Sequence, residues 1–454
     1  MRQDVLLKEK TGKLYARFCS ASVLGMVGIS IYILADTFFI ANGIGQTALA
    51  ALNIALPVFS LVMATGMLFG IGAATCFSVA RGGGDDARAN SYFKLSILCG
   101  VIMGLVYILL GQVFPGEIAY ALGATPETID YCRTYLQVIL TFAPAFMLNN
   151  IFLAFVRNIG RPNLAMVSML AGSIFNIIFD YLTVYVWGMG MFGAAIATAF
   201  SPIVGISVML PVLASKKSGL HFKGIRVKLS QLKGVLSGGM SCFIVELSTG
   251  IVVFILNAIM LRLLGNLGVA AYGIIANVTI VAYSIFTGMG QALQPIASVN
   301  YGAMQHARVK NVFTIACITA LVTGVLLYIF GTSFAGEITA VFNGAQDPQL
   351  AALTEGGIKL YFIAYIPMGI NVVLSYFFQS VLDMKRSVVI SLLRGLVLIS
   401  LGAVLLSGLL GVDGVWLSAP FAEVGTLIYA VISCVFWFRR HRPAEKEQMG
   451  EIVA

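Results

Sequence analysis

Residues 173–198 read SIFNIIFDYLTVYVWGMGMFGAAIAT. An apolar helix ends here, a tight Gly-rich turn follows at Trp187–Gly190, and a second apolar helix begins. Asn176 and Asp180 stand four residues apart, so they share one helix face. Thr198 comes from the next helix. A carboxylate in such surroundings costs roughly 2.5–3.5 kcal/mol on insertion scales. Two apolar helices joined by a short turn, with an acid between them, read as part of a membrane-spanning bundle.

The rest of the chain agrees. It has 454 residues, 59% hydrophobic and 10% charged, with a mean hydropathy of +0.94. That is too little charge to cover a soluble protein of this size. Apolar runs of about 20 residues or more recur throughout, each long enough to cross a bilayer. The alternating ten-residue pattern of a β-barrel is absent. The fold class is therefore an all-α integral membrane protein. Twelve transmembrane spans are expected at 16–41, 52–80, 92–113, 132–156, 163–186, 190–214, 236–264, 270–299, 311–332, 358–380, 388–410 and 414–438. Prolines inside spans, Pro144 and Pro57 among them, are candidate bends.

The net charge of +9 follows topology and does not imply a nucleic-acid partner. With the N-terminus cytoplasmic, all but four of the 28 Lys and Arg residues fall in inner segments, Arg157 and Arg161 among them. The exceptions are Arg133, Arg262 and Lys359 outside and Arg394 within a span. Such asymmetry puts both termini inside. The first apolar run is too long for a cleavable signal and is the first span. Trp187 and Trp437, at span ends, read as interface anchors.

The chain repeats itself. Phe114-Pro115-Gly116-Glu117-Ile118 returns as Phe334-Ala335-Gly336-Glu337-Ile338, Thr65-Gly66-Met67 as Thr287-Gly288-Met289, and Gly190-x-x-Gly193 as Gly411-x-x-Gly414. The offsets are all close to 221. Six spans per half insert the same way up, which predicts two six-helix lobes related by a pseudo-two-fold axis along the membrane normal. The expected divisions are a first lobe at 1–214, a basic cytoplasmic linker at 215–235, a second lobe at 236–438 and a cytoplasmic tail at 439–454.

The repeat also isolates a candidate site. At that offset Asp36 meets Asn257, Asn176 meets Val397, Asp180 meets Leu401 and Thr198 meets Ala419. Asp36, Asp180 and Thr198 all lie roughly 8–12 Å below the outer boundary at 1.5 Å per residue. They can converge within the first lobe, with Asn150 from the fourth span completing the shell. Carboxylate, amide and hydroxyl oxygens suit Na⁺, and a desolvated carboxyl suits H⁺. The competing reading is a hydrogen-bonded network that only fixes helix register. Glu246, near mid-membrane on the seventh span, reads as a cleft acid for a cationic substrate or a proton, the alternative being a pair with Ser241 or Ser248. Glu423 and Arg394 read as a structural ion pair.

Other chemistries find little support. The seven cysteines are scattered without a CxxC pair, and His221, His306 and His441 fall in loops or the tail. No metal-ligand cluster or nucleophile–base arrangement emerges, so the chain is not read as an enzyme. A flippase for a lipid-linked or other amphiphile would favour a cationic cleft, whereas Arg394 is the lone basic residue well inside a span.

The residues together resemble the multidrug and toxic compound extrusion (MATE) family, within it a MepA-like bacterial branch. The carriers are Asp36-Thr37-Phe38-Phe39-Ile40, the repeated Thr-Gly-Met, Gly160-Arg161-Pro162, Asn176-x-x-x-Asp180 and Gly193-Ala194-Ala195-Ile196-Ala197-Thr198. The resemblance covers nearly the whole chain. It implies two V-shaped bundles, alternating access, and antiport of organic cations and amphipathic drugs against Na⁺ or H⁺ in a bacterial plasma membrane. It implies no cofactor beyond that ion, and a monomer is expected. Asp36, Asn176, Asp180 and Thr198 match cation-binding positions, and Asn150 a further polar one. Glu246 resembles a seventh-helix acid of some members. Those members tend to carry an acid on the tenth helix, where this chain has Asn371, which favours coupling in the first lobe.

Overall fold

Backbone groups in hydrocarbon must pair within their own segment, and these apolar runs do so as helices. The computed structural model describes residues 3–215, 218–221, 227–343 and 346–440; among them there is no strand. The linker residues Lys216, Lys217, Lys223 and Arg226 and the tail after 440 lie outside the described residues.

Among the described residues twelve spans form, eleven as single crossings and one as a bent pair. They are α1 (Thr11–Gly43), α2 (Gln46–Gly82), α3 (Asp86–Val113), α4 (Ile129–Thr141 with Ala143–Asn158), α5 (Pro162–Val186), α6 (Gly190–Leu213), α7 (Leu232–Leu264), α8 (Asn266–Gly302), α9 (His306–Ser333), α10 (Pro348–Ser380), α11 (Met384–Leu410) and α12 (Val412–Arg440). The halves of α4 meet at 50°. Pro144 explains the break, because its ring nitrogen has no hydrogen to give to the Leu140 carbonyl.

The repeat is written into the helix bounds. α2 and α8 correspond end to end, as do α3 and α9, and the second half of α4 matches Tyr365–Ser380 of α10. The turn after Trp187 is built as the sequence predicts. Gly188 (φ +61°) and Gly190 (φ +57°) sit in the left-handed region, which a side chain would disfavour.

One feature was not expected. α5 is α-helical only to Asp180 and continues as a π-helix over Tyr181–Val186. α11 contains a π turn too, at Leu393–Val397. Such turns often mark functional positions.

The two lobes exchange ends. Leu14, Tyr15 and Phe18 of α1 pack into the core of the second half, beside Leu293, Ile296 and Val309. Val235 of α7 packs into the first half, beside Phe77, Tyr92 and Met209. Glycines allow the backbones to touch there. A Cβ on Gly239 would lie 2.0 Å from the Leu68 carbonyl oxygen, and one on Gly302 would lie 2.1 Å from that of Val79. These contacts lie on the helix halves nearest the basic loops, so the lobes are closed against each other on that side.

Candidate functional site

The outer half of α1, the last α-helical turn of α5 and the start of α6 bring the predicted residues together. Gly172 lets α6 come close, with Ser201 donating to its carbonyl at 3.0 Å. One turn from that contact, Asn176 Nδ2 donates to Thr198 Oγ1 at 3.5 Å. Asp36 and Asp180 face each other within side-chain hydrogen-bonding reach. None of the four exceeds 8% exposure, and Asn176 and Asp180 are fully enclosed.

The oxygens of this cluster are short of donors. Asp36 Oδ1, Asn176 Oδ1 and both carboxyl oxygens of Asp180 are enclosed without a hydrogen-bond partner. Buried polar atoms in native proteins are normally satisfied, and each exception asks for a reason. Glu423 supplies the contrast. Its Oε1 accepts from Arg394 Nη2 at 2.8 Å, and its Oε2 accepts from Asn371 Nδ2 at 2.7 Å. The same Nδ2 reaches the Glu423 carbonyl at 2.8 Å. That acid is spent on structure, as the sequence suggested. The pair in the first half is not.

Two facing carboxyls away from water cannot both stay charged without help. A proton on one or a cation between them resolves the conflict. The donor set is all oxygen, suited to a hard monovalent ion or a proton rather than a thiolate- or imidazole-seeking metal. Among the described residues no group of three or more His, Cys, Asp or Glu forms.

Two tyrosines join the site that sequence reasoning passed over. Tyr32, one turn before Asp36, lies within electrostatic reach of Asp36, Asp180 and Glu246. Tyr135 on α4 is 2% exposed and lies within electrostatic reach of Asp36, Tyr32 and Asp180. The spacing of Tyr32 from Asp36 was visible in the sequence. Nothing distinguished Tyr135 from any other tyrosine in an apolar run.

Asn150 stands apart. Its Nδ2 donates to Phe146 O at 3.1 Å on its own helix and lies 3.7 Å from Met63 Sδ. Its neighbour Asn149 turns toward Gly205 of α6, with Oδ1 enclosed and unpartnered. Glu246 is half-buried on α7, and among the described residues its carboxylate makes no hydrogen bond. The alternative pairing with Ser241 or Ser248 does not form; Ser241 instead bonds Ser387 at 2.6 Å.

The sequence model of the MatE family matches residues 21–182 and 242–404. The multidrug export protein MepA of Staphylococcus saprophyticus is 26% identical over 437 residues, covering 96% of this chain and 95% of that protein. MepA of Staphylococcus haemolyticus is 24% identical, covering 97% and 96%. Among solved structures, an outward-facing multidrug resistance MATE family transporter of the MOP superfamily superposes with a TM-score of 0.90 at 22% identity, over 97% of this chain and 98% of that one. A MATE structure in a bent conformation gives 0.86 at 23% identity, over 97% of each. Those likenesses fix the two-lobe helical fold. With both halves of the chain matched by the family's sequence model, this multipass membrane protein belongs to the MatE family of transporters.

Proposed function

We propose that the protein exports cationic and amphipathic drugs from a bacterial cytoplasm by antiport with H⁺ or Na⁺. The observation that carries this reading is the enclosed, donor-poor carboxyl pair Asp36/Asp180, set against the fully bonded Glu423. The names of the MepA relatives support the drug-export part. The ion binds between α1 and α5, at Asp36, Asp180, Asn176 and Thr198. Tyr32 lies within electrostatic reach of both that site and Glu246. Neutralising the pair lets α1 and α5 repack, which lowers the affinity of the cleft for its substrate. The lobes then rock, the closed cytoplasmic side opens, and the ion leaves inward. Coupling of this kind requires the ion to bind the two states unequally.

The test is drug-dye efflux from proteoliposomes under separately imposed proton and Na⁺ gradients. Asp36→Asn removes one charge at nearly constant volume. It should abolish gradient-driven export while the protein still inserts and elutes as a single folded peak. Full gradient-driven export by the variant would sink the proposal.

A further inference from the structure

By its place in the sequence Arg157 reads as a loop charge. The structure puts it elsewhere. It lies in the last turn of α4, 6% exposed. Its guanidinium has five N–H donors and little to give them to. Nη2 meets Met169 Sδ at 3.6 Å, a weak acceptor, and Nε is enclosed without a partner. No carboxylate pairs with it among the described residues, where the ion pairs involve Arg17, Arg81, Arg386 and Arg394. The carbonyls ending α4 are also taken. Phe155 O accepts from Ile159, Val156 O from Arg161, and Arg157 O from Gly160. The helix end therefore offers limited compensation.

The surroundings point to a floor shared by both lobes. Arg157 acts electrostatically on Tyr376 of α10. Tyr376 lies beside Cys242, and Cys242 is one turn before Glu246 on α7. The ring of Tyr376 also packs on Gly290 of α8. On the same stretch of α8, Thr287 Oγ1 and Gln291 Oε1 are enclosed without partners. A cation of the first lobe and an acid of the second are thus linked through Tyr376 and Cys242. The repeat supplies a control. The matching helix of α10 places Gln379 where α4 has Arg157, and Gln379 is spent on the Gly238 carbonyl. The unpaired guanidinium belongs to one half alone.

We propose that Arg157 recognises an anionic group of the substrate, so that with Glu246 the cleft selects zwitterionic amphiphiles over simple cations. The fork of an arginine suits a carboxylate, which it can hold by two parallel hydrogen bonds. The apolar frame of such a molecule would lie against the aromatic and Met side chains between them. This inference rests on the export reading above and deepens it.

Rhodamine B, which carries a free carboxylate and a delocalised cation, and its methyl ester, which carries the cation alone, form a matched pair. Their efflux is measured in proteoliposomes holding wild type, Arg157→Met, Arg157→Lys and Glu246→Gln. Arg157→Met should raise the KM for rhodamine B about tenfold and leave that for the ester within about twofold. Arg157→Lys should recover most of the loss, which separates charge recognition from packing. Glu246→Gln should weaken both dyes alike. An equal effect of Arg157→Met on the two dyes, or no effect on either, would overturn the anion-recognising role while leaving export standing. Failure of wild type to move either dye under any gradient would overturn the export reading, and this inference with it.

Discussion

A single hydroxyl separates two kinds of ion chemistry at the first-lobe site. A proton needs only the facing carboxyls of Asp36 and Asp180, whereas Na⁺ needs several oxygens at once. In the proposed site Thr198 would supply one such oxygen, already held near Asn176 at 3.5 Å. Thr198→Val keeps the shape and removes the oxygen. Losing one contact of ~1.4 kcal/mol corresponds to about tenfold in affinity. Na⁺-driven export should therefore need about ten times more Na⁺, while proton-driven export stays within about twofold. Identical Na⁺ dependence in variant and wild type would remove Thr198 from the ion site. Asp36, Asn176, Asp180 and Thr198 were legible because intramembrane polar groups stand out from an apolar background and helical spacing aligns them. Tyr32, Tyr135 and Arg157 were not. A tyrosine is ordinary in a membrane helix, and an arginine next to a span end looks like a loop charge until the helix is seen to enclose it. Trp437 failed in the opposite sense. It is 4% exposed and packs against Phe377 and Phe438, so the expected interface anchor is a core residue.

At the level of elements, span number could be read from hydropathy, and the bend in α4 from Pro144. The π segment after Asp180 could not, because no sequence period marks one extra residue in a turn. Nor could the polar cluster that joins α2, α4 and α8. Ser78 donates to Asn158 Oδ1, Asn158 Nδ2 donates to Gln294 Oε1 at 3.0 Å, and Gln294 Nε2 reaches Thr75 Oγ1 at 3.1 Å. These side chains are at most 5% exposed, and the two amides answer each other across the lobes. From sequence they were scattered polar residues with no common period. The cluster, with the glycine contacts of Gly239 and Gly302, acts as a latch on the basic side. Gln294→Leu would leave Asn158 and Thr75 short of partners, at about 1–3 kcal/mol for each unsatisfied group. The closed state should lose population by about tenfold or more. A cysteine at Ser298, in an otherwise cysteine-free background, reports this by its rate of maleimide labelling in the membrane. Labelling should quicken about tenfold with Gln294→Leu, and an unchanged rate would show that the latch does not hold the lobes.

The whole molecule raises a question that neither residues nor elements answer: how an ion at the proposed first-lobe site would act on the contact between lobes. The core assignments suggest the path. α1 carries Asp36 near one end, and its other end is built into the second half through Leu14, Tyr15 and Phe18. Further ties hold that end. Asn311 Nδ2 donates to Thr11 Oγ1 at 2.6 Å, and Asn300 Nδ2 and Arg308 Nη2 donate to Leu6 O at 3.1 and 3.2 Å. A shift of α1 at Asp36 is therefore transmitted along one rigid helix into the opposing lobe, and α7 makes the reciprocal link through Val235. The internal repeat had announced two equivalent lobes but not that they trade helix ends, because a repeat fixes equivalence and is silent about which copy packs on which. If the basic side must part in every cycle, joining the lobes there should stop export. Gly83 and Ala303 suit this, since Gly83 lies against Gly302 with 3.5 Å between an added Cβ and the Gly302 carbonyl oxygen. In a background cleared of native cysteines, Gly83→Cys with Ala303→Cys can be joined by a short thiol-specific cross-linker that a reductant cleaves. Export should fall in proportion to the fraction joined and return on reduction. Full export by completely joined protein would mean that the ion in the first lobe drives transport without the lobes separating on this side.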